Sequence, residues 1–361
     1  MKVLIDGHML GQREGGNERY IEGLISGLIK IRNLQLKVAV NSNYFYLNKF
    51  RNKNIFLKLD RNNDWPRLFY ELPKIASDTK AEIIHSTYVC PLVTGTNVVL
   101  TVHDLAYRRF PNLFTNRQKL IFRYLLPLSM RKAKAIIVPS EFTKSELVYF
   151  YPEFKFKTFV INESASEIFS IINRNEARER VKSKYDINSP FILTFNSLIA
   201  KKNIYRVIEG FRKVSEYFPN LRLVILGPDS NMSKKDKRLK GIHLIDWVNN
   251  NDLNLLYNAA EVVVYYSIYE GFGLPIFEAL KCKTVVLASD IQVHRELIKK
   301  GVVFVHPDKT EEFVVKLKIL LSRKKYRQEI ANEGFDAVSK FSWERAAQET
   351  VNVYKYVISR K

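Results

Sequence analysis

The stretch Tyr269-Glu-Gly-Phe-Gly-Leu-Pro-Ile-Phe-Glu-Ala-Leu280 decides how the rest of the chain is read. Glu270 and Glu278 stand eight positions apart in an otherwise apolar run, with Gly271, Gly273 and Pro275 between them. Burying an unpaired carboxylate is costly, so a plain core element has no use for either. Upstream, Glu261-Val-Val-Val-Tyr-Tyr266 has the composition of a buried strand, and downstream Pro275 suits the first turn of a helix. A strand, a glycine loop and a helix start at the C-terminal edge of a parallel sheet form a ligand site in α/β folds. Glycine lets the backbone approach, and the free N–H groups of the helix favour phosphate. Carboxylates beside such a site do not bind the phosphate; they accept hydrogen bonds from hydroxyls, as sugars and ribose present. On residue types alone, the alternative is a capped helix whose dipole Glu278 stabilises.

Working outward, apolar runs of strand length alternate with helical patterns along the whole chain. Val3–Ile5, Lys37–Val40, Glu82–His85, Val98–Val102, Ala135–Val138 and Thr158–Ile161 form a first series of strands. Phe191–Phe195, Leu221–Leu226, Ile242–Ile245, Glu261–Tyr266, Thr284–Ala288 and Val302–Val305 form a second. Tyr20, Ile21, Leu24, Ile25, Leu28 and Ile29 fall at helix spacing after the first strand. Ser140 is placed to cap a helix, and further helices are expected over about 203–217 and 343–358. Strands alternating with helices predict parallel sheets covered on both faces. Two series of similar size predict an α/β chain of two Rossmann-like domains whose sheets face a central cleft. Residues 171–188 read as charged and irregular, which places the boundary there: domains 1–170 and 171–342.

The chain has 361 residues and a formal net charge of +21. That length suits two domains, and that charge attracts anions: phosphorylated small molecules, acidic lipid headgroups or nucleic acid. No basic–aromatic recognition motif for nucleic acid is visible, which weighs against a nucleic-acid-binding protein. No segment is apolar enough to span a bilayer, and Met1–Asp6 reads as a first strand, not a signal peptide. Cys90 and Cys282 lie far apart with no metal spacing, so a reduced, cytoplasmic protein is the economical reading. Residues 116–134 interleave Arg117, Lys119, Arg123, Arg131, Lys132 and Lys134 with apolar residues. Such a stretch can rest on an anionic membrane surface or form a helix with a solvated basic face. Residues 233–240 read as a solvated loop.

Ser267-Ile-Tyr-Glu-Gly-Phe-Gly-Leu-Pro-Ile-Phe-Glu-Ala279 closely resembles the E-x7-E element of the GT4-type (group 1) retaining glycosyltransferases, which have the GT-B fold. The resemblance implies that Glu270 contacts hydroxyls of a donor sugar and that Glu278 holds a nucleotide ribose. Gly271, Phe272, Gly273 and Leu274 would line the donor between them. Asn196-Ser-Leu-Ile-Ala-Lys-Lys-Asn203 is similar to the family's basic turn, with Lys202 matching the lysine on the donor diphosphate and Lys201 standing where arginine is common. Gly15-Gly-Asn-Glu-Arg-Tyr20 resembles the glycine-rich loop beneath the diphosphate, placing Gly15 and Gly16 there. Val99-Leu-Thr-Val-His-Asp-Leu-Ala106 resembles the strand ending in His-Asp. His103 would thus lie near the transferred sugar and acceptor, with Asp104 orienting the backbone or the ring. Phe341-Ser-Trp-Glu344 resembles the start of the last helix, which in this fold returns to the first domain, making 343–361 part of it and Trp343 a packing residue.

The activity so implied is transfer of a hexose from a nucleotide sugar to a glycan or lipid-linked acceptor hydroxyl with retention of configuration, in cell-surface polysaccharide synthesis. No metal or other cofactor is expected. Asp64-Trp-Pro-Arg-Leu-Phe-Tyr-Glu-Leu-Pro73 resembles mannosyltransferase-like branches, which favours GDP-mannose over UDP-hexoses. Several positions depart from the family pattern. Lys283 and Val285 replace Gly and Pro, Asn196 stands near a common glycine, and Asn162-Glu163 replaces Asn-Gly. The Lys283 and Asn196 departures motivate a second reading, a catalytically silent scaffold of the same fold.

Overall fold

Val3, Leu4 and Ile5 are all buried because strand β1 (Lys2–Asp6) is covered on both faces, as a continuous apolar run requires. The computed structural model describes residues 1–12, 15–41, 53–59, 64–197, 199–228, 232 and 240–360. The chain divides into two compact units, Met1–Ser164 with Phe341–Lys361, and Ala165–Lys340. The loop expected over 233–240 lies outside the described residues except at Lys240.

In the first unit, β1 is joined by β2 (Gln35–Asn41), β3 (Phe56–Leu59), β4 (Ile83–Thr87), β5 (Asn97–Thr101), β6 (Ala135–Val138) and β7 (Thr158–Val160). All pair in parallel in the order β3-β2-β1-β4-β5-β6-β7. Strand β3 has no counterpart in the sequence reading; Phe56-Leu-Lys-Leu59 is short and carries a charge. Helix α1 (Gly16–Leu28) buries Ile21, Leu24, Ile25 and Leu28 against the sheet. The C-terminal helix (Trp343–Ser359) packs on α1, with Trp343 4% exposed. Gly23 makes that approach feasible: a Cβ there would stand 2.0 Å from the Trp343 ring. Helices α2 (Asn116–Leu120) and α3 (Leu126–Lys132) flank a π-helical turn and carry the basic stretch. Ser140 caps α4 (Glu141–Phe150) by accepting the Thr143 N–H at 3.1 Å.

The second unit repeats the winding. Strands β8 (Phe191–Phe195), β9 (Arg222–Leu226), β10 (Ile242–Ile245), β11 (Val262–Tyr265), β12 (Val286–Ser289) and β13 (Val302–Val305) are parallel in the order β10-β9-β8-β11-β12-β13. The strand order reverses between β8 and β11, the point at which doubly wound sheets open a ligand crevice. The segment read as irregular is instead a helix, α5 (Arg174–Tyr185). Asn173 caps it by accepting two backbone N–H groups, and Ala177 and Val181 are buried. Its charges misled because their partners lie far along the chain. Arg174 and Arg178 pair with Glu261, and Lys184 pairs with Asp252 at 2.6 Å. Helices α6 (Ile204–Ser215), α7 (Asn250–Ala259), α8 (Leu274–Lys281), α9 (Gln292–Leu297) and α10 (Lys324–Val338) complete the layers used below.

Candidate functional site

Two loops meet at the switch point of the second sheet. One follows β8 and carries Lys201 and Lys202 in a 3-10 turn, Ala200–Lys202; the other follows β11 and carries Glu270. The Ile268 N–H donates to the Lys201 carbonyl at 2.9 Å and ties the loops together. Lys202 Nζ donates to Glu270 Oε1 at 2.7 Å, and Lys201 Nζ lies 3.6 Å from Oε2. The lysine side chains are only 17% and 14% exposed, so this is not the solvated helix start that residue type alone would suggest. Burial by itself would raise the Glu270 carboxyl, but the charges of Lys201 and Lys202 outweigh it and hold the group well below the usual carboxylate range.

Tyr265, which the sequence reading passed over as strand, is the floor of this cluster. Lys202 Nζ lies 4.2 Å from its ring centroid and also donates to its hydroxyl oxygen. Burial, then the adjacent Glu270, keep the phenol protonated far above its ordinary range. His294 of α9 is a second residue missed. Its Nδ1–H donates to the Ser289 carbonyl at 2.9 Å, leaving Nε2 as a lone-pair acceptor under the glycine loop. Burial pushes its pKa down to about 4, so the ring is neutral at pH 7. Gly273, at φ +96°, caps α8; a Cβ would stand 3.2 Å from His294 Nε2.

Pro275 occupies the first turn of α8, as expected. Glu278 sits one turn in and is 1% exposed, and its Oε2 accepts the Tyr257 hydroxyl at 2.7 Å. Tyr257 comes from α7, a contact that no local pattern announces. Phe272 and Leu274 are buried, and Phe272 stacks on Phe277 with ring centroids 4.4 Å apart. They shape the loop by packing. Lys283 takes the left-handed conformation (φ +51°) after α8, and its ammonium lies 4.8 Å from the Phe335 ring of α10. Asn196 turns its amide inward, donating to the Pro228 carbonyl at 2.7 Å.

In the first unit, Gly15 (φ +62°) and Gly16 form the start of α1, where nothing among the described residues comes within 4 Å of an added Cβ. Glu18 accepts the Gly11 N–H at 2.7 Å and closes the preceding turn. His103 follows β5. Its Nδ1 is 2.9 Å from Glu163 Oε1, and Tyr20 packs edge-on against its ring at 4.5 Å. Asp104 accepts the Ala106 N–H at 3.1 Å and fixes the backbone turn. At the switch point of this sheet, Asp6 ends β1, buried, with His8 Nδ1 2.9 Å away and Arg67 donating to its other oxygen. Burial opposes ionisation, but Arg67 and then His8 prevail and hold the Asp6 pKa down at about 2. Among the described residues no group of His, Cys, Asp and Glu is arranged to hold a metal ion, and no helix is long and apolar enough to cross a membrane.

A bound polyanion and a polyol can both be served at the second unit's switch point, which brings together two cations, a glycine-capped helix start and two carboxylates. The family model for glycosyl transferases group 1 matches residues 175–336, and that for glycosyltransferase family 4 matches residues 14–161. An O-antigen chain mannosyltransferase, RfbU of Salmonella typhimurium, is 31% identical over 218 residues. That match takes in 59% of this chain and 57% of the Salmonella protein, so the chain spans less than three-fifths of that relative. O-antigen chain mannosyltransferase B of Escherichia coli is 26% identical over 269 residues, 71% of this chain and 70% of that protein. Among solved structures, sucrose-phosphate synthase from Thermosynechococcus elongatus superposes with a TM-score of 0.77 over 100% of both chains at 16% identity. With both halves matched and the same doubly wound architecture throughout, the chain belongs to the group 1 (family 4) glycosyltransferases of the GT-B fold.

Proposed function

We propose that the protein is a retaining hexosyltransferase that moves mannose from GDP-mannose to a glycan or lipid-linked acceptor hydroxyl in cell-surface polysaccharide synthesis. The observation that carries the reading is the Lys201–Glu270–Lys202 cluster at the switch point, charged, shielded from water and joined to a glycine-capped helix. Mannose is favoured by the names of the relatives, both O-antigen mannosyltransferases.

Lys201 and Lys202 carry the diphosphate and stabilise the charge that grows on it as it leaves. Glu270 turns from the lysines to hydroxyls of the transferred sugar, and Glu278 takes the ribose hydroxyls. The bond from the anomeric carbon to the diphosphate oxygen breaks while the acceptor oxygen bonds to the same face. The acceptor proton passes to the departing diphosphate. Glu270 is no nucleophile here: its oxygens are taken by sugar hydroxyls, and rate comes from positioning and charge stabilisation. Two lysines supply the charge for which other transferases use a divalent ion, so transfer proceeds in the presence of a chelator. His103 serves a hydroxyl of the sugar or acceptor.

The exposed Leu120, Tyr124 and Leu128, with Arg117, Lys119 and Arg123 beside them, rest on an anionic membrane surface at the cytoplasmic face. Sedimentation with vesicles tests this part: binding that does not depend on acidic lipid counts against it. The transfer reading is tested by a thermal-shift screen of nucleotide sugars followed by transfer assays. Stabilisation by GDP-mannose is expected. Stabilisation by UDP-hexoses alone would move the donor assignment, and stabilisation by none would refute the reading.

A further inference from the structure

His103 is held by a carboxylate at a position where the family pattern has glycine. Glu163, just after β7, is 4% exposed, and its Oε1 lies 2.9 Å from His103 Nδ1. The ring is braced from two sides, by Tyr20 edge-on at 4.5 Å and Tyr88 at 5.7 Å. Tyr20 is anchored in turn, its hydroxyl 2.8 Å from Thr101 Oγ1. His103 Nε2 is buried and has no hydrogen-bond partner among the described residues.

A neutral imidazole has one N–H and one lone pair, and an ionised carboxylate can only accept. In the neutral ring the proton therefore sits on Nδ1 and the lone pair on Nε2. A buried acceptor left without a partner is costly and calls for an explanation. From this we infer that Glu163 is a positioning residue: it fixes the tautomer of His103 so that Nε2 accepts a hydrogen bond from a hydroxyl of the sugar substrate. The choice of a hydroxyl rests on the transfer reading above; the tautomer assignment does not.

The test uses the full chain labelled with 15N-histidine, whose ring nitrogens report protonation in long-range proton–nitrogen spectra. The six histidines are assigned with the help of His103→Asn. At about pH 8, above the ordinary imidazole range, His103 should show a protonated Nδ1 and a bare Nε2. In Glu163→Gln the amide can donate to Nδ1 and drive the proton to Nε2, as happens when the carboxylate of a Ser-His-Asp triad is made an amide. That variant should lose about 10- to 100-fold in kcat, with the donor KM changed little. Glu163→Asp should restore the Nδ1–H pattern and part of the rate. A wild-type ring carrying a proton on Nε2 overturns the inference, as does an unchanged tautomer in Glu163→Gln or a switched tautomer with undiminished transfer. If the wild-type protein transfers no sugar, the transfer reading fails, while the spectra still decide what Glu163 does.

Discussion

Lys202→Met tests the centre of the proposed site. Lys202 and Glu270 are 2.7 Å apart with 14% and 9% of their side chains exposed, so neither charge is well hydrated. Removing one partner of a buried ion pair leaves the other uncompensated and costs about 3–5 kcal/mol. Lys201 remains 3.6 Å from the second carboxylate oxygen and softens the loss, which sets the expectation at about 3 kcal/mol, the low end of that range. For a unit the size of Ala165–Lys340, each kcal/mol lowers Tm by about 2–4 °C, giving a fall of about 6–12 °C. Methionine keeps the aliphatic stem over Tyr265, so the charge is the main thing removed. The double variant Lys202→Met/Glu270→Gln removes both charges and should recover about 1–3 kcal/mol relative to the sum of the single changes. Nucleoside diphosphate provides the second readout. At a hundred times its Kd it should raise wild-type stability by about 2.7 kcal/mol. Loss of one charged hydrogen bond, about 1.5–3 kcal/mol, weakens binding by about 10- to 100-fold and removes about half or more of that gain. Scanning fluorimetry of the full chain at fixed salt, with and without GDP, measures both. A Lys202→Met protein that melts with the wild type and gains the same stability from nucleotide would refute the reasoning.

Tyr257→Phe deletes the donor to Glu278 Oε2 and should cost about 1–3 kcal/mol of stability, with nucleotide binding weakened and the sugar dependence unchanged; calorimetric titration with GDP and GDP-mannose checks it. Gly23→Ala drives a methyl into Trp343 and should lose about 1–3 kcal/mol with a shifted tryptophan emission, despite the better helix propensity of alanine. Asp6 ionises below its unfolded value, so its contribution, about 2 kcal/mol, is fully present above about pH 4 and is lost as pH falls through about 2. The stability gap between wild type and Asp6→Asn, followed by denaturant unfolding, should therefore shrink over that acid window.

What the sequence could convey followed from how local each feature is. The E-x7-E element was legible because its strand, glycine turn and helix start are consecutive, and the structure forms them over Val262–Tyr265 and Leu274–Lys281. Most strands were legible because burial on both faces leaves unbroken apolar runs. Helix α5 was not, since its one buried stripe is only Ala177 and Val181, and its arginines find their carboxylate at Glu261, more than eighty positions away. The partners of the candidate residues were hidden for the same reason. Tyr257 reaches Glu278 from another helix, and Glu163 reaches His103 across sixty positions. A glutamate where glycine is usual was the one visible signal, and it showed only as a departure.

The cluster also explains how charges can stand in so apolar a segment before any substrate arrives. Glu270 neutralises Lys201 and Lys202, and Tyr265 supplies a ring face and a hydroxyl to Lys202, so the burial cost of each charge is offset inside the protein. A diphosphate would take over the lysines with stronger, charge-assisted bonds, and that exchange would free Glu270 to accept sugar hydroxyls. A nucleoside diphosphate without sugar would then leave Glu270 with fewer partners, whereas the intact donor would offer it hydroxyls. The intact donor should therefore bind more tightly than the nucleotide alone, and Glu270→Gln should erase most of that difference while leaving nucleotide affinity nearly intact. Equal affinity for donor and nucleotide in the wild type would show that Glu270 never leaves the lysines.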